Sequence, residues 1–155
     1  MNTTFMTRAI ELSRLHMRAN AGGPFGALVV KDGKVIGEGW NQVTSSNDPT
    51  AHAEVVAIRD ACRALNTFTL EGAEIYASCE PCPMCLAAIY WARIGKVYYA
   101  NTRQDAAAIG FDDDFLYQEI AKDVAERKVP MLQAARDEAL AVFEEWMVKN
   151  DKRPY

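Results

Sequence analysis

Two cysteines three residues apart, Cys82 and Cys85, stand in Pro-Cys-Pro-Met-Cys, and His52 and Glu54 stand about thirty residues earlier in His-Ala-Glu. Thiolates at that spacing in a first helical turn project to one side and can share a metal. The open N–H groups and dipole of a helix start favour the charged thiolate. With the imidazole of His52 they form a donor set that suits zinc. Three protein ligands leave a fourth position for water, whose pKa zinc lowers from about 15.7 to about 7. At about 1.36 kcal/mol per unit, that stabilises hydroxide by about 12 kcal/mol. Glu54, two residues from a ligand, is placed to carry protons during an attack by that water.

His-x-Glu followed by Pro-Cys-x-x-Cys is a signature of zinc enzymes that hydrolyse an exocyclic amine from a nucleobase. Both halves are present, in order. The competing reading adds Cys79 as a fourth ligand and closes the site to water, making it structural. Against it, Cys79 precedes Pro81 in a connecting loop, off the face that Cys82 and Cys85 share, and Glu54 would have no duty. A redox Cys-x-x-Cys pair leaves His-Ala-Glu unexplained. Cys62 lies in an Ala-rich helical stretch and reads as a small core residue. His16 shares a helical face with Phe5, Ala9 and Leu12 and reads as a buried, hydrogen-bonded structural residue.

The elements that must position these groups follow from periodicity and punctuation. Residues 4–20 read as a helix capped by Thr3 or Thr4 and ended by Gly22-Gly23-Pro24. Residues 25–30 and 35–40 flank Lys-Asp-Gly-Lys, a hairpin turn signal. A polar loop over 42–50 leads to a helix starting near Asp48 or Thr50, with Pro49 in its first turn, and running to about Leu65. Strands are predicted at 74–78 and 96–100, with a helix over 81–91 between them. A short helix over 111–120 and a final helix over 133–148, with Leu140, Phe143 and Met147 on one side, complete the chain. The order fits an α/β fold with a central mixed sheet covered by helices on both faces, in a single domain over 1–155.

Composition agrees. The chain has 155 residues, 50% hydrophobic and 25% charged, with a net charge of -4, an ordinary globular balance. No apolar run approaches the roughly 18–20 residues that cross a bilayer, and residues 1–10 carry no signal-peptide pattern. A soluble, cytoplasmic protein is expected. From residue 117 onward acids and bases interleave without a basic stripe, which disfavours a nucleic-acid partner.

The chain resembles the cytidine deaminase-like zinc superfamily, and most closely its small bacterial guanine deaminases. The resemblance rests on Gly-Gly-Pro-Phe-Gly-Ala at 22–27, Ser-Asn-Asp-Pro-Thr-Ala-His-Ala-Glu at 46–54 and Ser-Cys-Glu-Pro-Cys-Pro-Met-Cys at 78–85. Segments of these kinds also occur in tRNA adenosine deaminases and fungal-type cytosine deaminases. The segment that chooses among them is Asp-Ala-Ala-Ala-Ile-Gly-Phe-Asp-Asp at 105–113, followed by Phe115, Leu116 and Tyr117.

The resemblance implies a three-layer αβα fold and one catalytic zinc on His52, Cys82 and Cys85. It implies attack by zinc-bound hydroxide on guanine C2, giving xanthine and ammonia. Glu54 and Asp113 become the catalytic carboxylates; Asn41, Phe25, Ala53 and Tyr155 become substrate-binding residues. A homodimer is implied, with the C-terminal segment crossing to the partner and Tyr155 over its pocket. A carboxylate acceptor such as Asp113 suits the N1–H and amine donors of guanine; the bland reading of Asp112-Asp113-Asp114 is a cap or solvated acidic turn, and that of Phe25 is strand core. The alternatives are a tRNA adenosine deaminase, a deaminase of another small heterocycle such as cytosine, and a zinc-stabilised binding module.

Overall fold

The computed structural model describes residues 2–111 and 113–154. They fall into two compact units, Met1–Tyr117 and Gln118–Tyr155. Unit one carries α1 (Thr3–Arg18), β1 (Gly26–Lys31), β2 (Lys34–Trp40), α2 (Val43–Ser46), α3 (Ala53–Leu65), β3 (Ala73–Cys79), α4 (Pro83–Trp91), β4 (Lys96–Asn101) and α5 (Arg103–Ala108). Helix α6 (Asp114–Ala121) begins in it; unit two continues through a 3₁₀ turn (Val124–Glu126) to α7 (Arg136–Val148).

The sheet order is β2-β1-β3-β4. β1 pairs antiparallel with β2 (Gly26 opposite Trp40) and with β3 (Ala27 opposite Ala77); β3 and β4 are parallel, Glu74 opposite Lys96. A two-residue turn joins β1 to β2, with Asp32 at φ 51° and Gly33 at φ 71°, the left-handed pair that the Asp-Gly sequence favours. The parallel pair needs a crossover, and α4 supplies it. The sheet is mixed and helices cover both faces, as expected.

Period-two alternation divides the core. Ala27 and Val29 face one layer, with Ala53, Ala57, Ala61 and Ile89 of α3 and α4. Leu28 and Val30 face the other, with Met6, Ala9 and Leu12 of α1 and the ring of Tyr76. Small residues bring α3 unusually near β2. A Cβ built on Gly39 would come 2.2 Å from the Ala53 carbonyl oxygen, so the backbones meet where no side chain fits.

Several boundaries differ from the sequence expectation. Asn2, not Thr3 or Thr4, caps α1, its side chain accepting from the Thr4 N–H at 3.0 Å. The loop over 42–50 contains the short α2. Helix α3 starts at Ala53 with His52 as its N-cap, so Pro49 lies outside it. Helix α4 starts at Pro83 with Cys82 as its N-cap. Helix α5 was not anticipated; a capping box holds it, Thr102 and Asp105 each bonding the other's backbone N–H. His16 is half-buried and stacks on Trp40 at 3.7 Å between ring centroids, with 4° between the planes, rather than being buried in a hydrogen-bonded niche.

In unit two, Glu119 accepts from Lys122 and from the Lys128 N–H. None of the described residues in α7 is buried: Phe143 is 69% exposed and Met147 64%. No helix among the described residues is long and apolar enough to cross a membrane.

Candidate active site and metal centre

The two cysteine ligands and the histidine meet at the starts of two helices. His52 and Cys82 are both N-cap residues with extended backbone, and neither uses its side chain to cap its helix. Both side chains are therefore available to a ligand, and the positive ends of α3 and α4 lie beside the sulfurs. Pro83 at the first position of α4 suits a helix start because its missing N–H would have no partner there. Cys85 follows in the same turn and is fully buried.

His52 Nδ1 lies 3.6 Å from Cys82 Sγ and 3.6 Å from Cys85 Sγ. The ligand atoms of all three residues lie within 4.8 Å of one another. Tetrahedral zinc, with bonds of about 2.3 Å to sulfur and about 2.0–2.1 Å to nitrogen, separates sulfur from nitrogen by about 3.5–3.6 Å. The donor set and its spacing fit zinc. Cys79 is not part of the group. Its Sγ donates to the Thr102 carbonyl at 3.5 Å, and burial pushes its thiol up to about 11, so it remains neutral at pH 7.

The electrostatics favour charge on one sulfur. The Cys85 hydrogen bond is the largest cause holding the Cys82 thiol down to about 4, with His52 adding to it. Cys85 is pushed far above the ordinary thiol range, first by its hydrogen bond to Cys82, then by burial and by Glu54. His52 is raised, chiefly by Cys82. The paired sulfurs thus retain a proton that a divalent cation would displace.

Glu54 is 7% exposed, and burial raises its carboxyl to about 7. Cys85 Sγ donates to Glu54 Oε2 at 3.4 Å, which aims the carboxyl at the ligand group. A carboxyl with that pKa can both take and give a proton at neutral pH.

A cavity of about 320 Å³ opens over the group, lined by His52, Glu54, Cys82, Asn41, Phe25 and Asp113 among others. Asn41 is buried, and its Oδ1 accepts from the Gly23 N–H at 3.2 Å and the Val43 N–H at 3.3 Å. With its oxygen occupied, the side chain offers its NH₂ as a donor. Gly22 permits this geometry: a Cβ there would sit 1.8 Å from the Asn41 carbonyl oxygen. Phe25 meets Phe111 edge to face, at 4.8 Å between centroids and 90° between planes. Phe25 is thus a wall of the cavity that also packs against the hydrophobic core.

Ala53, expected to bind substrate, stands at the start of α3 beside His52. Its methyl belongs to the core cluster behind the sheet and does not line the cavity; only its backbone could reach a substrate. Tyr155 lies outside the described residues. Sequence reasoning did not single out Thr44, Pro49, Glu80 or Phe111, which also line the cavity. Phe111 sits inside the 105–113 segment noted above, the one signal that pointed near it. Pro49 and Glu80 lie inside the 46–54 and 78–85 segments quoted above, and Thr44 comes from the short α2.

Residues 1–101 match the cytidine and deoxycytidylate deaminase zinc-binding region. The chain is 53% identical over 152 residues to a guanine deaminase of Bacillus subtilis, covering 98% of this chain and 97% of that protein. The X-ray structure of guanine deaminase from Bacillus subtilis superposes with a TM-score of 0.96 at 52% identity, covering 100% of this chain and 99% of that one. A tRNA-specific adenosine deaminase of Aquifex aeolicus is 51% identical, but over only 77 residues, 50% of this chain and 51% of that protein. With the ligand geometry and both whole-length likenesses in agreement, the chain belongs to the cytidine and deoxycytidylate deaminase zinc-binding family and, within it, to the guanine deaminases.

Proposed function

We propose that this chain is a zinc-dependent aminohydrolase that converts guanine and water to xanthine and ammonia, with its metal on His52, Cys82 and Cys85. The observation that carries the reading is the ligand group at 3.6 Å spacing with the buried Glu54 carboxyl against it, in a chain that matches a guanine deaminase along 98% of its length. When bound, zinc supplies Lewis acidity that makes water a nucleophile at neutral pH.

Glu54 would take one proton from that water and give it to the ring nitrogen beside C2, then take the second from the added hydroxyl and give it to the departing amine as the C2–N bond breaks and C2=O forms. Without that transfer the leaving group would be amide ion, which is too basic to depart. Asp113 accepts from the amine and N1–H side of guanine. Asn41 donates its NH₂ to an acceptor on the opposite edge of the purine. Phe25 and Phe111 pack against the flat base and exclude water from it.

The test incubates the zinc form separately with guanine, guanosine, cytosine and adenosine-containing RNA, and measures ammonia and the ring product. Xanthine from guanine is expected. Inosine in RNA or uracil from cytosine, without xanthine, would transfer the chain to the alternative readings. Interleaved charge after residue 117 supports a free purine base over a nucleic acid. Four free cysteines support cytoplasmic residence.

The second part of the reading is a homodimer in which the C-terminal segment packs on a neighbour and brings Tyr155 over its pocket. Its support is the apolar surface that unit two leaves exposed, Leu132 at 91% and Val148 at 78%, an extent that implies a partner surface. Light scattering should give twice the monomer mass. Removing the residues after Asp151 should impair guanine turnover; unaltered kinetics would defeat the role given to the tail.

A further inference from the structure

Asp113 stands at the entrance to α6, and the residue one turn further on links it to the metal site. The Tyr117 N–H donates to the Asp113 carbonyl at 3.3 Å. The Tyr117 hydroxyl donates to the Pro81 carbonyl at 2.9 Å. Pro81 immediately precedes Cys82, and its carbonyl lies outside the hydrogen-bond ladder of α4. One residue thus ties two backbones together: its main-chain N–H holds the Asp113 carbonyl, and its side chain holds the carbonyl beside a candidate metal ligand.

A second tie runs in parallel. The Arg103 guanidinium lies over the Tyr117 ring, 4.9 Å from its centroid, and the Arg103 N–H donates to Glu80 Oε2 at 3.1 Å. Arg103 also reaches Asp114 at 4.0 Å. Pro81 is therefore bonded to Tyr117 directly, and Glu80 is tied to α6 through Arg103, whose guanidinium meets the Tyr117 ring and Asp114. The stack limits the directions in which the Tyr117 ring can swing, so the hydroxyl has one address.

We propose that Tyr117 is a positioning residue: by bridging the Pro81 carbonyl and the Asp113 backbone, it sets the distance between the Asp113 carboxylate and the metal ligands. The inference rests on the reading of Asp113 as a substrate-contacting group. Its physical content is that a misplacement of about 1 Å in a reacting constellation can cost on the order of 100-fold in rate.

The test uses Tyr117→Phe, which keeps the ring and its stack on Arg103 and removes only the hydroxyl. Zinc content and the thermal midpoint should stay close to wild type, while kcat on guanine falls about 10-fold or more. In an Asp113→Asn background the same change should produce no further loss, because Tyr117 acts through Asp113. A tyrosine that merely stiffens the fold would lower both backgrounds alike, and multiplying losses overturn the proposal.

Hydrogen exchange supplies a readout independent of turnover. The Leu116 and Tyr117 amides, both bonded to the Asp113 carbonyl, should lose protection in Tyr117→Phe while those of β1 keep theirs. Unchanged protection at Leu116 and Tyr117 overturns the clamp. If the wild-type protein itself leaves guanine intact, the functional reading falls, and exchange alone then decides whether Tyr117 holds the segment.

Discussion

Glu54 Oε2 lies 3.4 Å from Cys85 Sγ, so a buried carboxyl of α3 and a sulfur of the candidate metal group in α4 are in direct contact. Burial that would make a lone carboxylate costly here produces a carboxyl near the midpoint of its titration at neutral pH.

Glu54→Gln keeps the shape and removes the titrating group. Zinc should remain at one per chain by elemental analysis. Turnover of guanine should fall by about 100- to 10,000-fold, the range for losing a general acid–base group. Turnover near wild type would eliminate the proton-carrying role.

Cys79 and Cys82 should separate cleanly. Cys82→Ser removes a ligand, and the purified protein should hold little zinc. Cys79→Ser should retain full zinc, because the Cys79 thiol is neutral and bonded to the Thr102 carbonyl. Loss of zinc from Cys79→Ser would reopen the four-ligand site.

Asn41→Asp preserves an oxygen for the Gly23 and Val43 N–H groups and replaces the NH₂ donor with an acceptor. kcat/KM for guanine should drop about 10- to 100-fold, consistent with roughly 1–3 kcal/mol for an unpaired polar group, with zinc content unchanged. Equal kcat/KM would place the purine edge elsewhere.

Gly39→Ala inserts a methyl where 2.2 Å is available to the Ala53 carbonyl. Overpacking of this kind costs about 1–3 kcal/mol. At about 2–4 °C per kcal/mol for a chain of this size, the thermal midpoint should fall by several degrees. Activity should fall as well, because the displaced helix carries Glu54. A midpoint equal to wild type would show that the helix can move freely.

Asp48 gives a pH dependence of definite sign. Hydrogen bonds from Thr50, at 2.7 Å from its hydroxyl and 2.8 Å from its N–H, hold the Asp48 carboxyl below its usual value, with Arg59 contributing. A folded-state pKa below the unfolded one adds stability above the unfolded value of about 3.9, and that stability disappears as pH falls through the folded value. The difference in thermal midpoint between wild type and Asp48→Asn should therefore be present at pH 6 and shrink below pH 4. A difference that grows with acidity would reverse the assignment.

The elements legible beforehand were those with strong local signals. The Asp-Gly turn announced the hairpin, and the short Val- and Tyr-rich runs announced β3 and β4. Boundaries failed where turn bonds outweighed propensity. Pro49 suits a helix start, yet α3 begins only at Ala53, because the N–H groups of Thr50, Ala51 and His52 are taken by turn bonds to Asp48 and Thr50. Helix α5 escaped notice because six residues of Arg, Gln, Asp and Ala carry no apolar stripe. Phe111 could not be assigned a partner, since nothing local places its ring against Phe25.

The sequence by itself determined which atoms could hold a metal and move a proton, because ligand identity and one-turn spacing are local properties: Cys82 and Cys85 share a helix start wherever that helix lies. Tertiary structure decided the rest. Pairing of β3 with both β1 and β4, and the close seating of α3 on β2, bring His52 within 3.6 Å of two sulfurs 30 and 33 residues away. The same packing turns Cys79 toward a carbonyl, commits the Asn41 oxygen to backbone and puts Ala53 in the core. These outcomes depend on which backbones and polar groups meet across the fold, and no stretch of neighbouring residues contains that information.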